Sequence, residues 1–282
     1  MNLPTISLGK YIESFVNWLS VYVYEPFDLL SIIMDAAIAQ VEKVLLFPPA
    51  WLMVVLFGLV AWKFAGRGTA VFTVLGLAFC LLLNLWEETM LTTALVAVST
   101  TMALFIAIPL GIIAGLNNTA DQIARPILDL MQTMPPWVYL IPAVILFSLG
   151  RTPAIIATAV FAIPPPLRLT NLAIRQVPPE QVEVGRAFGA NDLQILLKIQ
   201  LPAAMPTIIA GVSQCIMMAL GMVVLAGLIG AGGLGGEVVR GLTRMQLGVG
   251  ARSGLAIVIL AIIFERVSLG AINLFQKGPQ KQ

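Results

Sequence analysis

Apolar and polar positions are arranged in two ways along this chain of 282 residues. Up to residue 46 the apolar positions come in stripes. Leu8, Ile12, Phe15, Val16 and Leu19 fall on one helical face, with Glu13, Ser14 and Asn17 on the other. After a break at Tyr24-Glu25-Pro26, Leu30, Ile33, Ala37 and Val41 repeat the stripe opposite Asp35 and Glu42. Asp28, Asp35 and Glu42 make a spanning helix costly here, so residues 1–46 read as two amphipathic helices. They lie either at the membrane surface or packed on a bundle. Beyond this segment, residues 47–282 form one domain in which the stripes give way to blocks. Apolar runs at 44–62, 69–86, 90–116, 127–149, 153–167 and 203–228 each approach the roughly 20 residues a membrane crossing needs. A seventh run, 253–264, is short and must take in Arg252, Glu265 or Arg266.

Composition agrees with the blocks. Hydrophobic residues make up 59% and charged residues 11%, against about 25% charged in soluble domains, and the mean hydropathy is +0.95. The expected fold is an all-α integral membrane protein. A net charge of +2 gives no reason to expect nucleic acid. The absence of histidine excludes imidazole bases and His-ligated metals. Cys80 and Cys215 sit inside apolar runs, as buried inert thiols do. The start, Met1-Asn-Leu-Pro-Thr-Ile-Ser, lacks the basic and apolar regions of a cleaved signal peptide. Lys63, Arg67, Arg125, Arg168, Arg175, Arg186, Lys198, Arg266, Lys277 and Lys281 fall on one side of seven spans. Lys10, Lys43, Arg151, Arg240, Arg244 and Arg252 fall on the other. The richer side is expected to be cytoplasmic, with the C-terminus inside and the N-terminus outside.

One polar island interrupts the blocks, at residues 176–202. Val177-Pro178-Pro179 stops an incoming helix. Glu180 to Phe188 allows about two helical turns, and Gly189 suits the left-handed residue that ends them. Asn191 or Asp192 can cap a second short helix, and Pro202 opens the next span. The outcome is a stiff helix–turn–helix outside the membrane.

The island also carries the spacing E-x5-G-x9-I-x-L-P on Glu183, Gly189, Ile199, Leu201 and Pro202. This resembles the EAA loop by which membrane subunits of bacterial ABC importers hold their ATPases. Val184 and Gly185 stand where the two alanines are expected. Asp129-Leu-Met-Gln-Thr-Met-Pro135, Tyr139-Leu-Ile-Pro142 and Gly230-Ala-Gly-Gly-Leu-Gly235 extend the likeness to permease subunits of glycine betaine/proline importers. The resemblance covers roughly residues 50–270. It implies a five-helix type I importer core, with two copies of the chain, two ATPase subunits that bind the ATP and Mg, and an extracytoplasmic solute-binding protein. It implies no cofactor on this chain and no catalysis by it. By the same resemblance Glu183, Ala187, Phe188, Gly189, Ile199, Leu201 and Pro202 meet the ATPase.

Gly230 to Gly235 spells G-x-G-x-x-G, but an apolar helix precedes it rather than a strand, so a turn or close helix packing is expected instead of a dinucleotide site. No G-x-x-x-x-G-K-[ST] occurs, so any ATPase must be a separate chain. Pro135, Pro136, Pro142 and Pro164 to Pro166 break helices in the fourth and fifth spans, which lipid tolerates only against protein or a wet path. Met134, Pro135, Trp137, Tyr139 and Pro165 are therefore candidate path residues. The rings of Trp137 and Tyr139 suit a quaternary ammonium through cation–π attraction, although belt or core roles are commoner for such rings. Asp129 is expected to pair with Arg125, one turn earlier.

The expected function is import of glycine betaine, proline betaine or a related compatible solute by alternating access in the bacterial cell membrane. The alternative within the class is a permease for another small solute, such as choline, carnitine or an amino acid. A secondary transporter would need discontinuous repeats and mid-membrane carboxylates. A membrane enzyme would need a catalytic constellation that the sequence lacks.

Overall fold

The computed structural model describes residues 24–276, together with Lys10, Ser14, Trp18 and Tyr22, which are helical and exposed. The first predicted stripe, from Leu8 to Leu19, lies outside the described residues. Among the described residues there is no strand. The helices are α1 Tyr24–Leu46, α2 Ala50–Ala65, α3 Arg67–Leu82, α4 Trp86–Leu116, α5 Asn118–Thr133, α6 Pro136–Phe147, α7 Arg151–Ala162, α8 Pro164–Arg175, α9 Pro179–Ala187, α10 Asp192–Ile195, α11 Leu201–Ala226, α12 Gly233–Thr243 and α13 Leu247–Gln276.

Four stretches are long and apolar enough to cross a membrane: Trp86–Leu116, Arg151–Arg175, Asp192–Ile229 and Leu247–Ala271. Two bent pairs also qualify, Glu25–Leu46 with Ala50–Ala65 at 100° and Asn118–Thr133 with Pro136–Phe147 at 97°, and Arg67–Leu82 is a shorter apolar helix. All seven runs are helical, but against the seven spans expected four qualify alone, two more only as bent pairs, and Arg67–Leu82 is short of a crossing. The fourth, expected at 127–149, folds back at Met134-Pro135, because Pro135 and Pro136 offer no N–H to continue α5. The polar stretch after residue 117, where the third and fourth runs are separated, is the start of α5, capped by Asn117, whose side chain accepts from the N–H groups of Thr119 and Ala120. The proline triplet at 164–166 interrupts the fifth run as expected, since α7 ends at Ala162, but the interruption is slight. Pro164 opens α8, and α7 and α8 run on as one span. The short seventh run is a 30-residue helix. Its Arg266 lies 5.1 Å from the ring centre of Phe72.

The main core lies between α4, α7, α8 and α11. Lipid tails are as apolar as leucine, so helices in a membrane associate by close packing instead of by escape from water. α4 is built for that purpose. Ser99, Ala103, Ala107, Gly111 and Gly115 recur every four residues on one face. A methyl group at Gly111 would sit 2.7 Å from Thr170 Cβ and 2.8 Å from the Leu167 carbonyl oxygen, and one at Gly115 2.8 Å from Ile174 Cβ. A second core fastens the α2–α3 hairpin to α13 through Val54, Leu77, Cys80, Leu260 and Ile263.

α1 packs on the bundle rather than apart from it. Its most buried residue is Ile38, with Met34, Val41 and Leu45 beside it. Asp35 and Glu42 were expected to face away; Asp35 is exposed and Glu42 half-buried, yet both reach the bundle. The Thr152 hydroxyl donates to Asp35 at 2.6 Å, and Arg151 pairs with Glu42 at 2.5 Å. The start of α7 thus supplies partners for both acids, which offsets the cost of holding Glu42 half-buried.

Candidate functional site

The polar island folds as its punctuation requires. α9 ends on Phe188, and Gly189 follows with φ +77°. The Ala190 N–H reaches back to the Gly185 carbonyl and the Gly189 N–H to that of Arg186, closing the helix end in a Schellman motif. Asn191 and Gln194 cap α10 reciprocally, each side chain accepting from the other's backbone N–H at 2.9 Å. A turn of π-helix, Leu196–Gln200, then joins α10 to α11. Ile195 is the buried pin of this unit. Gly185, which replaces an alanine of the expected pattern, lies under Ile199, where an added methyl would be 2.5 Å from Ile199 Cδ1.

The outer side of the unit is apolar and uncovered. Phe188 is 88% exposed, and Val184, Leu193 and Leu197 are each more than half exposed. Glu183, Ala187, Gly189 and Pro202 are also exposed, whereas Ile199 and Leu201 are half-buried at the root. Contiguous exposed apolar side chains on a capped, rigid element are the usual mark of a surface that another protein covers.

Beneath the island lies a polar seam that sequence reasoning missed. Arg175, the last residue of α8, donates to Asn171 Oδ1 at 2.9 Å, Asn118 Oδ1 at 2.8 Å and the Ala114 carbonyl at 2.7 Å. The buried Asp121 accepts from Arg125 at 2.6 and 3.0 Å and from Asn171 at 2.7 Å. Asp129, expected to pair with Arg125, instead accepts from Arg168 at 2.7 Å. Arg125 has the nearer partner in Asp121, whose carboxylate is shielded from water. The signal was present in the sequence: Asp121, Arg125 and Asp129 recur at four-residue intervals, facing Arg168, Asn171 and Arg175 at intervals of three and four.

The candidate path residues fall at the bend. Met134 is half-buried, Pro135 exposed and Trp137 50% exposed. Tyr139 is buried, its hydroxyl donating to the Met131 carbonyl at 2.5 Å and its ring edge-on to Phe161 at 5.6 Å. Pro165 is half-buried at the α7–α8 junction. The structure brings Met134, Pro135 and Trp137 together and sets Pro165 apart on another span. At the opposite end of α4 from the seam is a cavity of about 430 Å³, lined by Glu42, Glu87, Glu88, Arg151, Glu237 and Arg240. The glycine-rich stretch borders this cavity and serves close packing: a methyl group at Gly227 would lie 2.4 Å from the backbone of Gly235. Glu237 is buried between Arg240 at 2.5 Å and Arg252 at 3.9 Å. Among the described residues no group of histidine, cysteine or acidic side chains could hold a metal ion.

The family described as "Binding-protein-dependent transport system inner membrane component" matches residues 107–278. The glycine betaine transport system permease protein of Bacillus subtilis (strain 168) is 41% identical over 266 residues, covering 94% of each chain. The glycine betaine/carnitine transport permease protein of Listeria monocytogenes serotype 1/2a (strain 10403S) is 41% identical, over 95% of this chain and 96% of its own. The glycine betaine/proline betaine permease protein of Escherichia coli (strain K12) is 41% identical, over 93% and 74%. Among solved structures, the inward-facing MetNI methionine ABC transporter superposes with a TM-score of 0.61 at 23% identity, over 66% of this chain and 93% of the matched one. At that identity the likeness is one of fold. The chain belongs to the family of inner membrane components of binding-protein-dependent transport systems.

Proposed function

We propose that this chain is the permease subunit of an ATP-driven importer for glycine betaine, proline betaine or a related compatible solute. Two copies form the path, two ATPase subunits carrying ATP and Mg seat on the island at 176–202, and a solute-binding protein docks at the other end. The chain itself binds no cofactor and makes or breaks no covalent bond. The observation that carries this reading is the rigid, capped loop with Phe188 turned outward. A connecting loop has no need of a Schellman end and a capping box, whereas a part that transmits force does.

Glu183 and Gly189 shape and anchor this contact, Ala187 and Phe188 supply its apolar surface, and Ile199, Leu201 and Pro202 join it to α11. Met134, Pro135 and Trp137 border the solute path at the α5–α6 bend, with Tyr139 fixing the bend and Pro165 the facing span. The end of the bundle that carries the loop also holds Arg125, Arg168, Arg175, Arg186 and Lys198, which supports a cytoplasmic position for that end and the C-terminus, with the N-terminus outside.

Purification of the tagged chain from its native host, with identification of what accompanies it, tests this reading. The wild type should bring down a P-loop ATPase, and Gly189→Pro should lose it while remaining inserted. The left-handed backbone at Gly189 is closed to proline, and the Gly189 N–H bond to Arg186 would go with it. An inserted wild-type protein that brings down no ATPase would sink the proposal.

A further inference from the structure

The seam between α5 and α8 has a mechanical consequence. α5 has little else to hold it, since Asp121 and Leu128 are its only buried residues. Its attachment to α8 is polar and antiparallel. Asp121 at one end meets Asn171 and Arg175, and Asp129, two turns on, meets Arg168. α8 in turn cannot slide on α4, because Gly111 and Gly115 bring the two backbones together with no spare space. Arg175 also holds the Ala114 and Asn117 carbonyls at the end of α4. At its far end α5 passes motion on, through the Tyr139 hydroxyl bound to the Met131 carbonyl across the bend.

The geometry points to Arg175 and Asp121, supported by Arg168 and Asp129, as positioning residues that carry movement of the loop into the bent α5–α6 pair. Arg175 is the last helical residue before the loop, so on the N-terminal side of the loop a displacement of α9 reaches the bundle at its side chain, as on the other side it reaches α11. A guanidinium spread over α4, the α4–α5 turn and α8 makes these parts move together. The seam thereby gates the solute path from the ATPase side. This inference rests on the reading of the loop given above.

The test uses the complete transporter in liposomes, with its ATPase and binding protein, and reads radiolabelled glycine betaine taken up per ATP hydrolysed. Asp121→Asn and Arg175→Gln should keep the ATPase bound and its stimulation by loaded binding protein within about twofold, while uptake per ATP falls about tenfold. Arg168→Gln, whose side chain is 46% exposed and whose exposed ion pair contributes only about 0–1 kcal/mol to stability, should lower uptake per ATP about threefold and serves if the buried variants fail to fold. Unchanged uptake per ATP in the variants that assemble, Arg168→Gln included, would overturn the inference. So would a parallel fall of uptake and hydrolysis in Arg168→Gln with the ATPase still bound. A wild-type assembly whose hydrolysis ignores the loaded binding protein would count against the reading of the loop itself.

Discussion

Phe188→Ala separates contact with a partner from stability of the chain. Phe188 is 88% exposed, so truncating it removes almost nothing that the isolated subunit uses for folding. If the ATPase covers it, the loss is a buried phenylalanine. Full burial of such a side chain is worth about 1.5–3 kcal/mol, and the exposed share corresponds to about 1.3–2.6 kcal/mol. At about 1.4 kcal/mol per factor of ten, the ATPase should bind each loop about 10- to 80-fold more weakly. Titrating purified ATPase onto the permease in nanodiscs, with a thermal melt of the same samples, reads both quantities. Ile195→Ala is the counterpart. Ile195 is 3% exposed and pins the unit internally, so its truncation should cost about 2–4 kcal/mol locally and loosen the island itself. ATPase affinity that stays within about twofold in Phe188→Ala, far short of one factor of ten, would refute the reasoning, as would a melt that falls as far as for Ile195→Ala.

Gly111→Val should lower the melting temperature in nanodiscs, because its branches would press on the Leu167 carbonyl and Thr170, at a cost of about 1–3 kcal/mol or more; an unchanged melt would contradict the close approach of α4 and α8. Tyr139→Phe deletes the donor to the Met131 carbonyl and should cost about 0.5–1.5 kcal/mol in the same assay, since Pro135, four residues on, has no N–H to offer that carbonyl. Cys80 and Cys215 are both buried and free, so neither should react with a maleimide until the protein is denatured; rapid labelling of either in the native state would contradict the packing of the two cores.

The island at 176–202 was legible residue by residue because its signals are local. Proline lacks a donor wherever it stands, Gly189 tolerates positive φ through its own chemistry, and Asn191 caps the helix that starts beside it. Features set by distant partners were not legible. Hydropathy counts Ile127 and Phe147 alike toward one span, so a window average runs straight across the Met134-Pro135 corner. Asp129 was paired with Arg125 because a single helix shows only its own neighbours, while the actual partner, Arg168, comes from another span. Asp35 and Glu42 were turned outward for the same reason, since nothing near them in sequence announces Thr152 and Arg151. Gly230 to Gly235 gave a partial signal: a turn or close helix packing was expected there, without a sign of what it would touch, and Gly235 lies against Gly227.

The central claim is that solute movement through this chain is driven by ATP on partner subunits. Its most direct test is accumulation of radiolabelled glycine betaine by proteoliposomes holding the chain, its ATPase and its binding protein, with the ion gradients collapsed by ionophores. The account predicts accumulation that requires ATP inside and binding protein outside and persists without any gradient. Accumulation that follows a sodium or proton gradient and ignores ATP would contradict it.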